Sequence, residues 1–307
     1  MEKLSGMARP LPIIDPEACV GCGACARLCP SGTIAFDGQR AAIEGTDCIG
    51  CGHCRAVCPV EAVTLGDEEN YADGFATFTP SGKVVAPGEF SPELLVDLMR
   101  SRRSCRAFTE KAVPGPMLED LIRAAVTAPS GTNSQAWTFT VLTSRAAVAG
   151  FGEAVAGFFR RLNRIAAIGL ARKAYALIGR PELENYYQEY YASVAGALAA
   201  WDRDRTDRLF HGASAAVIIG SRPGASCPAE DALLAAQNML LMAHAMGLGT
   251  CLIGYAVEAM RHDRRVKAAA GLPPEEAAHA VVALGWPDAN FLRQTARRRP
   301  VVRYKTA

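Results

Sequence analysis

The sequence predicts a two-domain protein of the α+β class, in which a small cysteine-rich domain precedes a larger domain of mixed helices and strands. Its length of 307 residues is about twice the ~150 residues of an ordinary domain. Eight of its 11 cysteines fall between Cys19 and Cys58. After them, apolar segments of helical and of strand-like pattern are mixed along the chain.

The composition argues against several classes of protein. Half of the residues are hydrophobic and 21% are charged, which is not the balance of a disordered chain. The net charge of +2 gives no electrostatic footprint for nucleic acid. The longest apolar stretch, 232–246, contains polar residues and is shorter than the roughly 20 residues that span a bilayer. Because the first residues carry no apolar signal segment, we expect a cytoplasmic protein with neither a nucleic-acid nor a membrane partner.

The clustered cysteines form two copies of one motif. The pattern C-x2-C-x2-C-x3-C-P runs from Cys19 to Pro30 and returns 29 residues later, from Cys48 to Pro59. A short strand-like segment follows each copy, at 33–36 and at 62–65. Two strand–loop–helix–strand units are therefore expected in a domain at 10–67.

This cysteine spacing is typical of 4Fe–4S clusters, and the segment resembles the bacterial ferredoxins with two such clusters. In those ferredoxins the fourth cysteine of each run ligates the other cluster. Structural zinc usually takes two cysteine pairs with a longer spacer, and disulfides belong to oxidising compartments. The crossover predicts one cluster on Cys19, Cys22, Cys25 and Cys58, and a second on Cys48, Cys51, Cys54 and Cys29.

The larger domain is predicted at 91–307, after a linker at 68–90 that is rich in proline, glycine and acidic residues. Ser91-Pro92-Glu93 is a typical helix start, with an N-cap, a first-turn proline and an acidic residue near the positive helix end. This helix is expected to reach about Arg100. The apolar periodicity predicts further helices at 117–128, 145–210 and 230–246, and strands at 137–142, 215–220 and 281–284.

Two segments of this domain carry groups suited to a phosphate and to a flat ring. The segment 102–106 holds three arginines and a serine, and guanidinium groups match phosphate oxygens in bidentate fashion. A solvated basic turn is the alternative. The loop 128–137 contains small residues, then amides, then a tryptophan, so it can pass close to a ring and offer it hydrogen bonds. The segment 247–249 follows a helix and lacks the third glycine of a dinucleotide fingerprint.

Four motifs together resemble the FMN-dependent nitroreductase family. They are RRSxRxF at 102–108, APSGTNSQAW at 128–137, GLGTCLIG at 247–254 and an arginine–proline tail, in the order found in that family. With the preceding segment, the whole chain resembles the ferredoxin–nitroreductase fusion group. The resemblance implies a nitroreductase-like α+β domain, a homodimer, and FMN sites that two subunits build together.

The resemblance also implies which residues bind FMN. The segment 102–106, called the arginine loop below, and one tail arginine would hold the phosphate. The loop 128–137 would border the ring and bond its edge or ribityl chain. Residues after Leu252 would face the reactive side of the ring. The phosphate residues are Arg102, Arg103, Ser104, Arg106 and Arg298. The residues at the ring and the ribityl chain are Pro129, Ser130, Gly131, Asn133 and Gln135. Those on the reactive side are Ile253 and Gly254.

We expect an FMN-dependent oxidoreductase in which the clusters relay single electrons to FMN, which then reduces a nitro compound, a quinone or an activated double bond. NAD(P)H is a candidate co-substrate, and a redox protein a candidate partner. In one alternative, FMN takes electrons from NAD(P)H or a substrate and the clusters pass them outward. In another, the protein is a redox or oxygen sensor without turnover. The sequence indicates no catalytic proton donor.

Tyrosines at 186, 187, 190 and 191 form two pairs spaced by four residues. Side chains at this spacing meet on one side of a helix. The pairs pack against the domain in one interpretation and wall a substrate channel over the flavin in the other.

Overall fold

The computed structural model describes residues 9–66 and 74–306. Residues 9–66 form two short helices and four short strands. The elements are β1 (Ile13–Ile14), α1 (Ala24–Leu28), β2 (Ile34–Phe36), β3 (Ala41–Ile43), α2 (His53–Val57) and β4 (Val63–Thr64). Two small antiparallel sheets result, in which β1 pairs with β4 and β2 pairs with β3. The helices pack against each other around the buried Cys25 and Cys54.

The larger domain is built on one antiparallel sheet of four strands. Its elements are α3 (Pro92–Ser101), α4 (Gly115–Ala125), β5 (Trp137–Leu142), α5 (Arg145–Ala166), α6 (Gly169–Leu177), α7 (Glu182–Glu189), α8 (Tyr191–Asp204), β6 (Ala215–Ser221), α9 (Pro228–Ala245), β7 (Gly249–Leu252), α10 (Gly254–His262), α11 (Arg264–Ala269) and β8 (Ala277–Gly285). The order of the strands in the sheet is β5–β6–β8–β7.

Helices cover both faces of this sheet, and the central strand β6 shows the alternation that results. Val217 and Ile219 pack into the core that α4 and α9 form, whereas Ala216 and Ile218 pack into the core of α5, α10 and α11. Side chains alternate between the two faces along a strand, and helices cover both faces, so every residue of β6 is buried. The domain is therefore a helix–sheet–helix stack, and the loops at the sheet ends are left to carry the site.

Most of the predicted elements match the structure, with differences at their ends. Ser91 caps α3 by accepting a hydrogen bond from the amide of Leu94 (3.1 Å). The helical region 145–210 is divided into four helices, α5 to α8. The edge strand β7 was not predicted, because it is short and lies inside the glycine-containing segment 247–254.

Part of the predicted linker packs on the larger domain. The carboxylate of Asp120 is buried and accepts hydrogen bonds from the amides of Ala76 (2.6 Å) and Thr77 (2.7 Å) and from the Thr77 hydroxyl (2.5 Å). Burial alone would raise the pKa of Asp120, but these bonds outweigh it and lower the pKa. Linker residues 68–73 lie outside the described residues. No helix within 9–66 and 74–306 has the length and apolar character needed to cross a membrane.

The bulge in β6 gives a test of the packing. At Gly220, a Cβ would lie 2.5 Å from the carbonyl oxygen of Ala277 and 2.9 Å from the Thr138 hydroxyl. We expect Gly220→Ala to lower the free energy of unfolding by about 1–3 kcal/mol, as overpacking does. Gly150→Ala in α5 is the control, because open space surrounds that position and alanine favours a helix by about 0.5–1 kcal/mol. Urea unfolding followed by circular dichroism measures both changes, and shifts of the same sign would contradict this description.

Candidate cofactor site

The arginine loop lies against the edge strand β7. The amide of Cys105 donates to the carbonyl of Thr250 (2.8 Å), and Ser104 forms a parallel bridge with the same residue. Gly249 permits this contact, because a Cβ there would lie 2.8 Å from the Cβ of Cys105. The motifs at 102–108 and 247–254, which are distant in sequence, therefore form one surface.

Positive charge is concentrated on this surface. The Nη2 atom of Arg103 is buried and has no hydrogen-bond partner in the part of the chain that the structure describes. Burial, together with the charges of Arg297 and Arg103, lowers the pKa of Arg102. Since buried polar groups normally have partners, an orphaned guanidinium nitrogen beside like charges indicates an anion site. The tail arginine whose charge acts on Arg102 is Arg297, whereas the sequence pointed to its neighbour Arg298.

A cavity of about 340 Å³ opens at this surface, bordered by the arginine loop, by residues 247–250 and by tail residues 289–294. The imidazole of His244 also lines it. Burial and then the charge of Arg102 lower the pKa of His244, so this side chain is neutral at pH 7 and adds no further positive charge. The cavity is large enough for a phosphate-bearing chain.

The loop 128–137 connects α4 to β5 and holds an unusual backbone conformation. Thr132, Asn133 and Gln135 have φ angles of 50°, 53° and 47°. Residues other than glycine rarely adopt this left-handed region, and a β-branched threonine does so least readily. Such conformations persist where surrounding contacts fix them.

Asp231 supplies those contacts from the first turn of α9. Its buried carboxylate accepts hydrogen bonds from the amide of Gly131 (2.9 Å) and from the hydroxyl of Ser134 (3.2 Å). The hydroxyl of Ser130 accepts from the Gln135 amide (3.0 Å). Gly131 also has to be small, because a Cβ there would lie 2.8 Å from the sulfur of Cys227.

The tip of this loop contacts the cysteine-rich domain. The Nδ2 group of Asn133 donates to the carbonyl oxygens of Ile49 (3.0 Å) and Gly50 (2.9 Å). Its Oδ1 accepts from Nε2 of Gln135 (3.1 Å). The Asn133 amide, which was expected to bond the flavin, is therefore engaged between the domains.

Arg9 adds to this contact. Its Nη1 donates to the carbonyl of Ile49 and reaches the carbonyl of Thr132 (3.4 Å). Ile49 lies between Cys48 and Cys51 in the second cysteine motif. That motif thus meets the loop that the resemblance implies in flavin binding.

The structure brings together the first predicted set of cysteines. Cys19, Cys22, Cys25 and Cys58 line one small cavity, although the last of them belongs to the second motif. Within 9–66 and 74–306, no three His, Cys, Asp or Glu side chains lie close enough together to hold one metal ion. The four thiols border a space, as ligands around a multi-iron cluster do.

Three cysteines of the second set also lie near one another. Burial raises the pKa of Cys54, and the charges of Cys51 and Cys48 add to the rise. Cys29 packs in the same small core as Cys54. Burial would raise the pKa of Cys29, but bonds from the Ser31 hydroxyl and nearby amides lower it to about 7, which favours the thiolate that binds metal.

The two predicted residues after β7 differ in their surroundings. Ile253 is buried in the core, and its amide donates to the carbonyl of Val281 (2.8 Å). Its side chain therefore packs inward rather than towards the site. Gly254 is exposed at the start of α10, with open space where a Cβ would stand.

The tyrosine pairs form as their spacing predicts. The rings of Tyr186 and Tyr190 lie 6.4 Å apart, and those of Tyr187 and Tyr191 lie 4.9 Å apart. The hydroxyl of Tyr186 donates to Asn163 (2.6 Å), which is a packing role. The Tyr190 ring lies 6.3 Å from that of Tyr255, the residue after Gly254, so the channel-wall hypothesis stays a prediction.

Sequence reasoning missed Asp231, Arg9 and the position of His244, and among the tail arginines at 297–299 it left open which one contacts phosphate. One sequence feature could have indicated Asp231, which is an acidic residue in the first turn of the otherwise apolar helix α9. No such feature indicated Arg9, since it precedes the predicted domain boundary and acts on segments far along the chain.

The family comparisons agree with this architecture. Residues 99–286 match the Nitroreductase family model, and residues 11–59 match the 4Fe-4S dicluster domain. Over 190 residues the chain is 28% identical to an NADH dehydrogenase of Thermus thermophilus, covering 61% of this chain and 83% of that protein. Over 206 residues it is 28% identical to a nitrobenzene nitroreductase of Ectopseudomonas oleovorans, covering 62% and 86%.

Solved structures share the fold. A nitroreductase with bound FMN from Bacteroides fragilis aligns with a TM-score of 0.52 and 20% identity, over 69% of this chain and 98% of that one. The matches confirm the predicted α+β fold and the predicted fusion of two known domains. The chain belongs to the nitroreductase family and carries a 4Fe-4S dicluster ferredoxin domain at its N-terminus.

Proposed function

We propose that the protein is an FMN-dependent oxidoreductase in which two 4Fe–4S clusters and FMN form one electron path. Its acceptor would be a small nitro compound, a quinone or an activated double bond. The contact between Asn133 and the loop at Ile49 and Gly50 carries this proposal. It brings a predicted cluster-binding motif against a predicted flavin-binding loop.

The residues present fit FMN. Arg102, Arg103 and Arg297 would hold its phosphate, which would give the orphaned Nη2 atom of Arg103 a partner. FMN, when bound, supplies hydride transfer to the substrate. The remaining sequence-predicted residues would support it: Ser104 and Arg106 beside the phosphate, Pro129, Ser130, Gly131 and Gln135 beside the ring, and Gly254 on its open side.

The residues present also fit two clusters. The cavity lined by Cys19, Cys22, Cys25 and Cys58 supports the predicted crossover for one of them. The other would take Cys48, Cys51, Cys54 and Cys29. We place this chemistry in the cytoplasm, where thiols stay reduced.

A homodimer is part of the proposal. Helix α3 has no buried residue, and Leu94 is 66% exposed in the single chain. In the tail, Leu292 is 82% exposed beside the arginine surface. Apolar surface of this kind supports a second subunit that covers α3 and the tail and completes the FMN site.

The relatives' names support a nicotinamide donor and a nitro acceptor without fixing the direction of flow. The redox-adaptor alternative uses the same contact in the opposite direction. An anaerobic titration of the holoprotein separates the two. We expect reduced ferredoxin to bleach the flavin absorption band and NADH or NADPH to act more slowly. Rapid bleaching by a nicotinamide alone, followed by cluster reduction, would favour the adaptor.

The anchoring role of Asp231 gives a second test. Asp231→Ala leaves the Gly131 amide and the Ser134 hydroxyl without their acceptor, which costs about 1–3 kcal/mol. We expect FMN affinity to fall about 10- to 100-fold as the loop loses its conformation. Asp231→Asn keeps one acceptor oxygen and is expected to lose less. Fluorescence titration with FMN measures both, and equal affinity in all three proteins would contradict the assignment of this loop.

The tail arginines give a third test. A charge-assisted bond to phosphate contributes about 1.5–3 kcal/mol, so Arg297→Ala should weaken FMN binding by roughly 10- to 100-fold. Arg298→Ala is the matched control and should change it little, because Arg297 and not Arg298 is the tail residue whose charge acts on Arg102. A larger loss of FMN affinity in Arg298→Ala than in Arg297→Ala, in the same titration, would assign Arg298 as the phosphate ligand.

A further inference from the structure

We infer that the cluster on Cys48, Cys51, Cys54 and Cys29 is the inner one, which exchanges electrons directly with the flavin, and that Asn133 is the positioning residue that holds it there. The cluster on Cys19, Cys22, Cys25 and Cys58 is then the outer one, which meets an external one-electron carrier. This inference rests on the proposed function and adds an order to the electron path.

A short chain of bonds connects the second motif to the flavin loop. The amide of Gly50 donates to the sulfur of Cys48 (3.3 Å), and the carbonyl of the same residue accepts from Nδ2 of Asn133 (2.9 Å). One residue therefore bonds both a predicted ligand sulfur and the larger domain. Hydrogen bonds to cluster sulfurs are among the factors that set cluster potentials, so this contact can tune as well as position.

The backbone on both sides of the contact is fixed. Gly50 has a φ of +64°, and a Cβ there would lie 3.0 Å from Cδ of Arg9. Asn133 has a φ of 53°, which asparagine tolerates better than most residues. Its two amide hydrogens serve two adjacent carbonyls, so the side chain fits this partner closely.

The equivalent residues of the first motif face elsewhere. Val20 and Gly21 stand where Ile49 and Gly50 stand in the second copy. Val20 is 62% exposed, and the carbonyl oxygen of Gln39, from the same domain, occupies the place that a Gly21 Cβ would take, at 2.0 Å. The internal repeat is therefore asymmetric in its surroundings, and within the described residues the bonds to the flavin loop come from its second copy.

The first motif also borders an open surface. Val20 and Val60, exposed by 62% and 40%, line the same cavity as the first set of cysteines. Cys22 is exposed as well. An external carrier can reach this cluster without displacing the larger domain.

The proposed order of the two clusters accounts for the electrons that substrate reduction consumes. Each cluster passes one electron at a time, whereas reduction of the substrate takes two electrons and two protons, one of which is transferred as part of the hydride. Two successive one-electron carriers docking at the outer cluster supply the electron pair through the inner cluster, and solvent supplies both protons. The carriers are oxidised and the substrate is reduced by the same two electrons.

The test uses the FMN- and cluster-loaded protein with Asn133→Ala and Asn133→Asp. The carboxylate that the second variant introduces keeps an acceptor for Gln135 but lacks the two donor hydrogens of the amide. We expect hydrogen–deuterium exchange at residues 46–52 to rise roughly tenfold in both variants, as expected when one to two hydrogen bonds are lost. Exchange at residues 17–23 should not change. Unaltered exchange at 46–52 would overturn the role of Asn133.

Electron paramagnetic resonance then tests the order of the clusters. The signal that is lost in Cys51→Ser belongs to the inner cluster, and the signal that is lost in Cys22→Ser belongs to the outer cluster. We expect Asn133→Ala to shift the midpoint potential of the inner cluster only, and Val20→Ala, the control, to shift that of the outer cluster only. A shift confined to the outer cluster in Asn133→Ala, or no shift in either cluster, would overturn the inference.

Flash photoreduction separates this inference from the proposed function. In the parent protein, electrons placed on the clusters should reach the flavin, and in Asn133→Ala, compared at the same FMN content, they should arrive roughly tenfold more slowly. If electrons never reach the flavin in the parent, the relay itself fails. If both proteins transfer equally fast, the relay stands and the inner position of the second motif is overturned.

Discussion

The buried carboxylate of Asp231 fixes the conformation on which both the candidate flavin site and the domain contact depend. It lies in the first turn of α9, where the positive end of the helix stabilises a negative charge. From there it holds the loop 130–135, in which Thr132, Asn133 and Gln135 occupy the left-handed region. Each such conformation costs of order 1–3 kcal/mol, so the loop persists only because its contacts fix it. The same rigidity aims Asn133 out of the larger domain.

A second constraint acts on the opposite side of the site, where positive charges are held together. Arg102, Arg103 and Arg297 converge from segments almost 200 residues apart, and one nitrogen of Arg103 is buried without a partner among the described residues. Like charges in a partly buried place repel each other, and an anion relieves this repulsion. Burial and the charge of Arg102 lower the pKa of His244, so the positive charge of the cavity comes from its arginines.

The sequence predicted features that depend on short residue spacings, and it missed contacts between segments that are far apart in the chain. The cysteine spacing placed Cys19 and Cys58 at one cavity, and the Ser91 signal placed the start of α3. Ile253 was expected to face the flavin. Its amide donates to the carbonyl of Val281 in β8 and its side chain packs in the core, so a role at the flavin stays a prediction for its backbone. The partners of Asn133 are more than 80 residues away, and no local pattern records such a contact.

The covalent connection between the domains lets a contact made of weak polar bonds be sufficient. The bonds of Asn133 and Arg9 contribute about 0.5–1.5 kcal/mol each, so their sum is at most about the 4 kcal/mol that a millimolar complex between separate proteins requires. A short connection raises the effective concentration of the second domain to the millimolar range, so the weak contact can be populated. Under these conditions affinity comes from the connection, and the bonds of Asn133 and Arg9 are free to select one orientation. That orientation brings the second cysteine motif, and not the first, to the flavin loop.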